Sequence, residues 1–497
     1  MVALKRLLAN EWLSIFLMMT CLSFGMFFST APFGLPDEVV HAQTAWGKTS
    51  SSPTTLLQIT NSPISIPESL VNEKIWCFQQ KSQTDSGCYF SAQIPNSKIL
   101  TTDYRNINYP PIYYYIVGLG ERVGDLVSGF SILVVGRLFS LFLNLSLILI
   151  VLYRAKSRIG FNLWAIPAAF FPMSYFLMAG INPNGFEITS LLLYTYFLRF
   201  EYMDRLSARL ATKSDTILLI FLGLVASSSR PITFVWLAIV TLFVYLDFSL
   251  HNGFDLKTFV EIVSISLPGI VLGLLWKIKA AVETRPTVVE LDTLADILGL
   301  AIHILSMLPE RTTQMLGVLG WMDTRAPLII YQVIFTLLAL VAWEILRTKN
   351  QKELITWGIF ILITISVPII IEIPQWTYWP NFWQGRYTLP IFSSLLLILL
   401  GGARNTDFKL VRNLGLICMI SSALFVYLNF LRHSYGINPN GFPVRFDSSP
   451  GLPMSWIIAT NLCLILFFLL ILHQVSKKIH AIRSGDNLVT KNQTSIA

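Results

Sequence analysis

Charge is what this chain has least of. Only 13% of its 497 residues are Asp, Glu, Lys or Arg, while 54% are hydrophobic. A soluble globular domain carries about 25% charged residues, so a water-soluble protein of this length is excluded. The marks of soluble-type sites are missing too. There is no Walker loop, no dinucleotide glycine fingerprint, no His-Glu-x-x-His pair and no nucleophile elbow. Histidine is scarce, with six in all. The formal net charge is +8, but it is spread over short loops, as orientation signals are. No nucleic-acid partner is expected.

Cysteine is also sparse, with five residues. Cys21, Cys418 and Cys463 fall in apolar runs and read as small packing residues. Cys77 and Cys88 stand in a polar segment. They either close a small disulfide loop, if that segment faces an oxidising compartment, or remain two free thiols.

What the chain has in plenty is apolar length. Runs near the ~20 residues needed to cross hydrocarbon fall at 12–29, 130–152, 162–180, 186–202, 216–229, 231–249, 258–276, 327–346, 355–373, 387–402, 413–431 and 455–475. The expected fold is all-α, a polytopic transmembrane helix bundle of about twelve spans. It forms one domain over residues 1–475, with a polar, disordered tail at 476–497. Lys5 and Arg6 precede the first run and place the N-terminus inside; a signal peptide cleaved near Ser29-Thr30-Ala31 is the competing reading.

Basic residues fall on alternate loops: Arg154, Lys156 and Arg158; Arg205, Arg209 and Lys213; Arg347, Lys349 and Lys352; Arg404, Lys409 and Arg412. Lys477, Lys478 and Arg483 follow in the tail. That is the pattern of cytoplasmic loops, so both termini are expected in the cytoplasm of a cell-membrane protein. Large outer loops then cover 30–129, 277–326 and 432–454. The runs at 216–229 and 387–402 are short for a perpendicular crossing. Either their boundaries lie further out or these helices break near the outer surface.

Two stretches read as interfacial helices. One opens at Tyr109-Pro110-Pro111-Ile112-Tyr113-Tyr114-Tyr115; the other runs from Leu294 to Leu308. One word repeats: Gly180-Ile181-Asn182-Pro183-Asn184-Gly185-Phe186 recurs at Gly436 to Phe442. Asn, Pro and Gly each make turns for local reasons, and the flanks differ, so two similar outer turns are expected rather than a duplicated fold.

The chemistry concentrates just past the first run, in Gly34-Leu35-Pro36-Asp37-Glu38-Val39-Val40-His41. Pro36 suits the first position of a short helix, acids suit its first turn, and Asp37 and His41 would then share a face. The stretch is either a reaction centre or a solvated, acid-capped loop. Asp37, Glu38 and His41 could together ligate a divalent metal. Three arginines within or at the ends of spans carry the charge opposite to these acids and suggest a site that binds an anion: Arg137, Arg230 and Arg386. Arginine suits phosphate because its planar fork gives paired, charge-assisted bonds. Each has a plainer reading: an ion pair inside the bundle for Arg137, snorkelling for Arg230, and an interfacial anchor for Arg386 in Trp383-Gln384-Gly385-Arg386-Tyr387.

Four motifs in order carry a family resemblance. They are Pro-Asp-Glu-x-x-His at 36–41, Tyr-Pro-Pro-x-Tyr-Tyr at 109–114, Gly317-Val318-Leu319-Gly320-Trp321-Met322-Asp323-Thr324, and Gln384-Gly385-Arg386-Tyr387. Over residues 12–475 the chain resembles a domain-of-unknown-function family of bacterial polytopic membrane proteins. That family is similar to the GT-C glycosyltransferases. The resemblance implies transfer of a sugar from a polyprenyl-phosphate carrier to an acceptor outside the cytoplasm, be it a cell-envelope glycan, a lipid or a protein. It implies a first-loop carboxylate as the base, Asp37 or Glu38, with inversion at the anomeric carbon. It leaves the metal open.

Within that reading Arg386, then Arg137 and Arg230, are the phosphate ligands. Tyr109, Tyr113 and Trp321 are sugar-stacking candidates; His41, Gln384 and Tyr387 complete the substrate-binding set. Asp323 is a second acid or a turn residue. The rival class is a twelve-span transporter or flippase for an anionic substrate. Such a carrier is expected to hide ionisable groups near the midplane, often on broken helices.

Overall fold

The computed structural model describes residues 10–49, 63–71, 76–92, 99–103, 109–127, 131–157, 161–208, 210–280, 293–347, 351–378, 381–402, 408–439, 441–444 and 449–494. Lys5, Arg6, Arg158, Arg209, Lys349 and Arg404 lie outside them. The described chain is almost wholly helical, as lipid demands: a backbone in hydrocarbon must satisfy its own N–H and C=O groups.

The helices that build the frame are α1 (Glu11–Ser29), α2 (Glu38–Lys48), α3 (Pro111–Leu126), α4 (Ile132–Ala155), α5 (Pro183–Tyr196), α6 (Lys213–Ser227), α7 (Thr233–Asn252) and α8 (Leu256–Ala280). After these come α9 (Leu294–Ser306), α10 (Leu308–Gly317), α11 (Leu328–Arg347), α12 (Gln351–Trp376), α13 (Gly385–Gly402), α14 (Phe408–Tyr435) and α15 (Met454–Thr494). Two antiparallel strand pairs punctuate the loops. β1 (Pro63–Pro67) pairs with β2 (Ile99–Asp103), and β3 (Val318–Leu319) pairs with β4 (Thr324–Arg325).

Among the described residues, seven helices are long and apolar enough to cross a membrane: Glu11–Ser29, Ile132–Ala155, Thr233–Asn252, Leu256–Lys279, Leu354–Trp376, Lys409–Tyr435 and Met454–Ser476. The other expected runs emerge as α5, α6, α11 and α13, with one exception. Residues 162–180 do not make a span. They fold as two short helices, Ala165–Ala168 and Pro172–Met178. Pro172 lacks an N–H and its ring would strike the carbonyl four residues back, so the helix ends and restarts with Pro172 in its first turn. The tail departs from expectation too, since α15 continues helical to Thr494.

Every residue of α5 is buried, which makes it the central post of the bundle. It packs on α13, α4 and α6. α1 lies against α15 and α14. α5 continues through a π-helical turn at Phe197–Tyr202. There Arg199 Nε donates to Asp247 Oδ2 at 2.7 Å, and Arg154 pairs with Glu201.

Helix starts follow local rules. Thr212 and Thr293 cap α6 and α9, and their hydroxyls accept from the backbone N–H of Asp215 and Asp296. Pro111 opens α3. α2 differs from expectation, because its cap is Asp37 rather than a residue ahead of Pro36. Asp37 takes a left-handed backbone, φ 61°, so Pro36 stands outside the helix.

Candidate functional site

One end of the bundle gathers the end of α1, the whole of α2, the starts of α4, α5, α7 and α13, and the end of α14. Adjacent acids of α2 part there. Glu38 is fully buried and meets Arg137 of α4 through both arms, Oε1 accepting from Nε at 2.7 Å and Oε2 from Nη2 at 2.5 Å. Arg137 Nη1 and Nη2 also donate to the carbonyls of Thr30 and Ala31, each at 2.8 Å. Glu38 Oε1 accepts a further bond from the Ile181 N–H at 3.0 Å. The pair is saturated and reaches no solvent. Its effect is to lock the end of α1 and the turn before α5 onto α2.

This corrects two sequence expectations. Glu38 has no oxygen left for a substrate, and Arg137 is an internal partner rather than a phosphate ligand. The first copy of the repeated word serves the same lock. A side chain at Gly180 would lie 2.8 Å from Glu38 Oε1 and closer still to Leu35, so only glycine lets the turn approach. Asn182 donates to the Pro36 carbonyl at 3.3 Å and caps α5 by accepting from the Asn184 N–H at 3.0 Å.

Asp37 goes the other way. Its side chain is 48% exposed, and Oδ2 accepts from Arg386 Nη2 at 2.6 Å. Burial opposes its charge, but Arg386 above all, with Arg230, holds the carboxyl below the usual carboxylate range. Arg386 itself is only 5% exposed, and its Nε and Nη1 are buried with no acceptor. It is delivered by a close helix contact. A Cβ at Gly385 would fall 2.0 Å from the Arg311 carbonyl, and the Gly385 N–H donates to Gln314 Oε1 at 3.0 Å. Glycine at 385 therefore lets α13 start against α10 and places Arg386 at Asp37.

Arg230 completes a cationic wall. It pairs with Glu187 of α5 at 3.2 Å, donates to the Tyr109 hydroxyl at 3.3 Å, and lies 4.5 Å over the Tyr387 ring. Its Nε is buried without an acceptor. Arg386 Nη2 reaches the Tyr387 hydroxyl at 3.4 Å. Gln384, whose Oε1 is unpartnered, lines a narrow cleft at Arg386 with Pro36, Met173, Gln314 and Met322.

The remaining candidates divide. His41 Nδ1 meets the Tyr114 hydroxyl at 2.8 Å. Burial, reinforced by Arg386 and Arg230 and opposed by Asp37, pushes its pKa down to about 3, so the ring is neutral. Glu38 is held by Arg137 and His41 by Tyr114, so the proposed metal trio does not converge. Among the described residues no group of three His, Cys, Asp or Glu is arranged to hold a metal ion. Tyr113 is fully buried, stacked on Phe186 with its hydroxyl 2.9 Å from Ser140. It has no face for a sugar. Tyr109 stays beside Arg230, its hydroxyl accepting from Nη2. Trp321 donates to the Phe33 carbonyl at 3.1 Å, and its ring lies 5.9 Å from the exposed Trp76. Asp323 is a turn residue, bonded to Thr324 Oγ1 and to Arg432 at 3.0 Å each. A disulfide joins Cys77 to Cys88.

Sequence reasoning passed over several groups. Arg432 ties Asp323 to the Phe78 and Thr84 carbonyls, so it clamps the disulfide loop to the β3–β4 turn. Arg311 of α10 and Glu372 of α12 form a buried pair at 2.6 Å. Glu121 is buried with neither oxygen bonded, and burial raises its carboxyl well above the ordinary range. Glu187 and Glu372 are lone acids in apolar runs, and such acids are costly unless partnered. That cost was the available signal. Beside Arg311 lies a cavity of about 500 Å³ between α10, α11, α12 and α13, walled mainly by Leu308, Phe335, Leu338, Ile365, Pro368 and Phe392.

Residues 21–395 match the model of a family described as "Predicted membrane protein (DUF2142)". No curated protein and no solved structure matches the chain.

Proposed function

Since the chain belongs to that family of membrane proteins, we propose that it is a glycosyltransferase working from a polyprenyl-phosphate sugar, with its cleft on the extracytoplasmic side. The observation that carries this reading is the Asp37–Arg386 contact: a half-exposed carboxylate against a buried guanidinium with two nitrogens, Nε and Nη1, unused. Buried donors without acceptors are costly. A phosphate would fill them.

The step balances simply. The acceptor hydroxyl oxygen bonds to the anomeric carbon as the bond from that carbon to the phosphate oxygen breaks. The hydroxyl proton passes to Asp37, and the electron pair of the broken bond leaves on the lipid phosphate. Attack opposite the leaving group inverts the anomeric centre. Charge growing on the phosphate is met by Arg386, with Arg230 behind it, and fixed cations in a site of low dielectric are effective there. The apolar cavity beside α13 supports the lipid half of the substrate, since its walls suit a prenyl chain and clefts of this volume bury ligands of that order. The Gln384 amide can meet a sugar hydroxyl.

The carrier reading has one observation in its favour, the unpartnered Glu121, which is how a proton-coupling carboxyl would look. Glu121 sits on α3 and does not line the cleft at Arg386, and so it does not displace the enzymatic reading. The test is incubation of the purified protein with polyprenyl-phosphate sugars and an envelope extract as acceptor. Release of lipid phosphate that depends on Asp37 supports transfer. Movement of intact substrate across vesicles with no release supports the carrier.

A further inference from the structure

Two ion pairs stand side by side in this protein, and they are built differently. Arg137 uses both arms on Glu38 and its spare N–H groups on two carbonyls, with no exposure on either side. Arg386 gives one nitrogen to one oxygen of Asp37, keeps Nε and Nη1 without acceptors, and faces a carboxylate that is 48% exposed. An arginine fork binds two oxygens of one anion best, so the second contact is half filled. Asp37 also sits on a left-handed backbone, φ 61°, a conformation that, glycine apart, Asn and Asp adopt most readily because their short polar side chains bond locally.

The geometry points to a self-occupied anion site: Asp37 rests where an oxygen of the substrate phosphate belongs, and the phosphate must displace it from Arg386 before Asp37 acts as base. This rests on the phosphate-site reading of the cleft. Arg386 cannot yield, being wedged behind Gly385 and buried. Asp37 can, because water replaces its lost partner. Paired with Arg386, the carboxylate is a poor proton acceptor; freed from it, its basicity recovers. The base is therefore armed by the donor, and the donor binds before the acceptor reacts. A resting protein with its base masked does not activate water against a donor that is only partly bound.

The test is calorimetric titration of the purified, detergent-solubilised chain with dodecyl phosphate, a single-chain lipid phosphate. Asp37→Asn removes the competing charge and should bind about tenfold tighter or more, the scale of one charge-assisted hydrogen bond. Asparagine accepts the left-handed backbone; Asp37→Gly, which also accepts it, is the second variant. Arg386→Ala should abolish binding. The gain should survive 1 M salt, because competition for one nitrogen is a contact effect, whereas repulsion at a distance fades when the Debye length falls to about 3 Å. Unchanged or weaker binding in both Asp37 variants, or a gain lost in salt, overturns self-occupation and leaves the phosphate site in place if Arg386→Ala still loses binding. Full binding by Arg386→Ala removes the phosphate site, and self-occupation with it. Equal melting temperatures across the variants establish that each result comes from a folded protein.

Discussion

Asp37 and Glu38 are consecutive residues whose carboxylates meet different arginines. Asp37 binds Arg386, 349 positions away, and Glu38 binds Arg137, 99 positions away. The first pair is open to the cleft and the second is sealed. One is a candidate for chemistry, and the other holds together the elements that carry it.

Asp37→Asn should cut sugar transfer by about 10²- to 10⁴-fold, the usual worth of a general base. Expression and melting temperature should hold, because asparagine tolerates the left-handed backbone. Lipid phosphate release under saturating donor measures it. Retained activity would remove Asp37 as the base.

Glu38→Gln should act on folding. Breaking a buried pair strands Arg137 without its counter-charge, at a cost of about 3–5 kcal/mol. The expected readout is a lower melting temperature and a poorer yield of monodisperse protein. Arg137→Met with Glu38→Gln should recover part of the loss, because no charge is then left buried alone. A Glu38→Gln protein as stable as the parent would contradict the lock.

Glu121→Gln should change how stability varies with pH. The folded carboxyl titrates well above its unfolded value of about 4.3. Its favourable contribution is therefore present in acid and is lost as pH rises toward the folded pKa. The glutamine variant should match the parent near pH 4 and melt above it at pH 7 to 8. Melting curves that run parallel across this range would show that Glu121 finds a partner in solution.

Thr364→Trp should fill the cavity between α10 and α13, which Thr364 lines. Donors with long prenyl chains should lose affinity several-fold, while a short-chain analogue carrying the same sugar should not. The comparison of KM for the two donors tests whether the cavity takes the lipid tail. An equal effect on both would place the tail elsewhere.

Much of the frame was legible. Apolar runs of spanning length became helices because hydrocarbon permits little else, and Pro111 and the Thr212 cap marked their starts by local geometry. Even the break at Pro172 was written in the chain, although hydrophobicity summed over residues 162–180 concealed it. Charge in an apolar run announces that a partner exists. That rule pointed to Arg137, Arg230 and Arg386, and followed further it reaches Glu187 and Glu372.

What composition and spacing determined by themselves, then, is that this protein is a helical membrane bundle with acids and arginines at helix ends. Only the tertiary structure decided which acid met which arginine. The repeated word shows why: Pro183 in the first copy opens α5, whereas the second copy closes on itself, with the Phe442 N–H donating to Asn438 Oδ1 at 3.0 Å. Local sequence sets what a backbone segment can adopt. Pairing across hundreds of residues depends on how helix ends assemble, through burial that carries no direction of its own and through close approaches at Gly180 and Gly385. Those contacts sealed Glu38 and left Asp37 at the cleft.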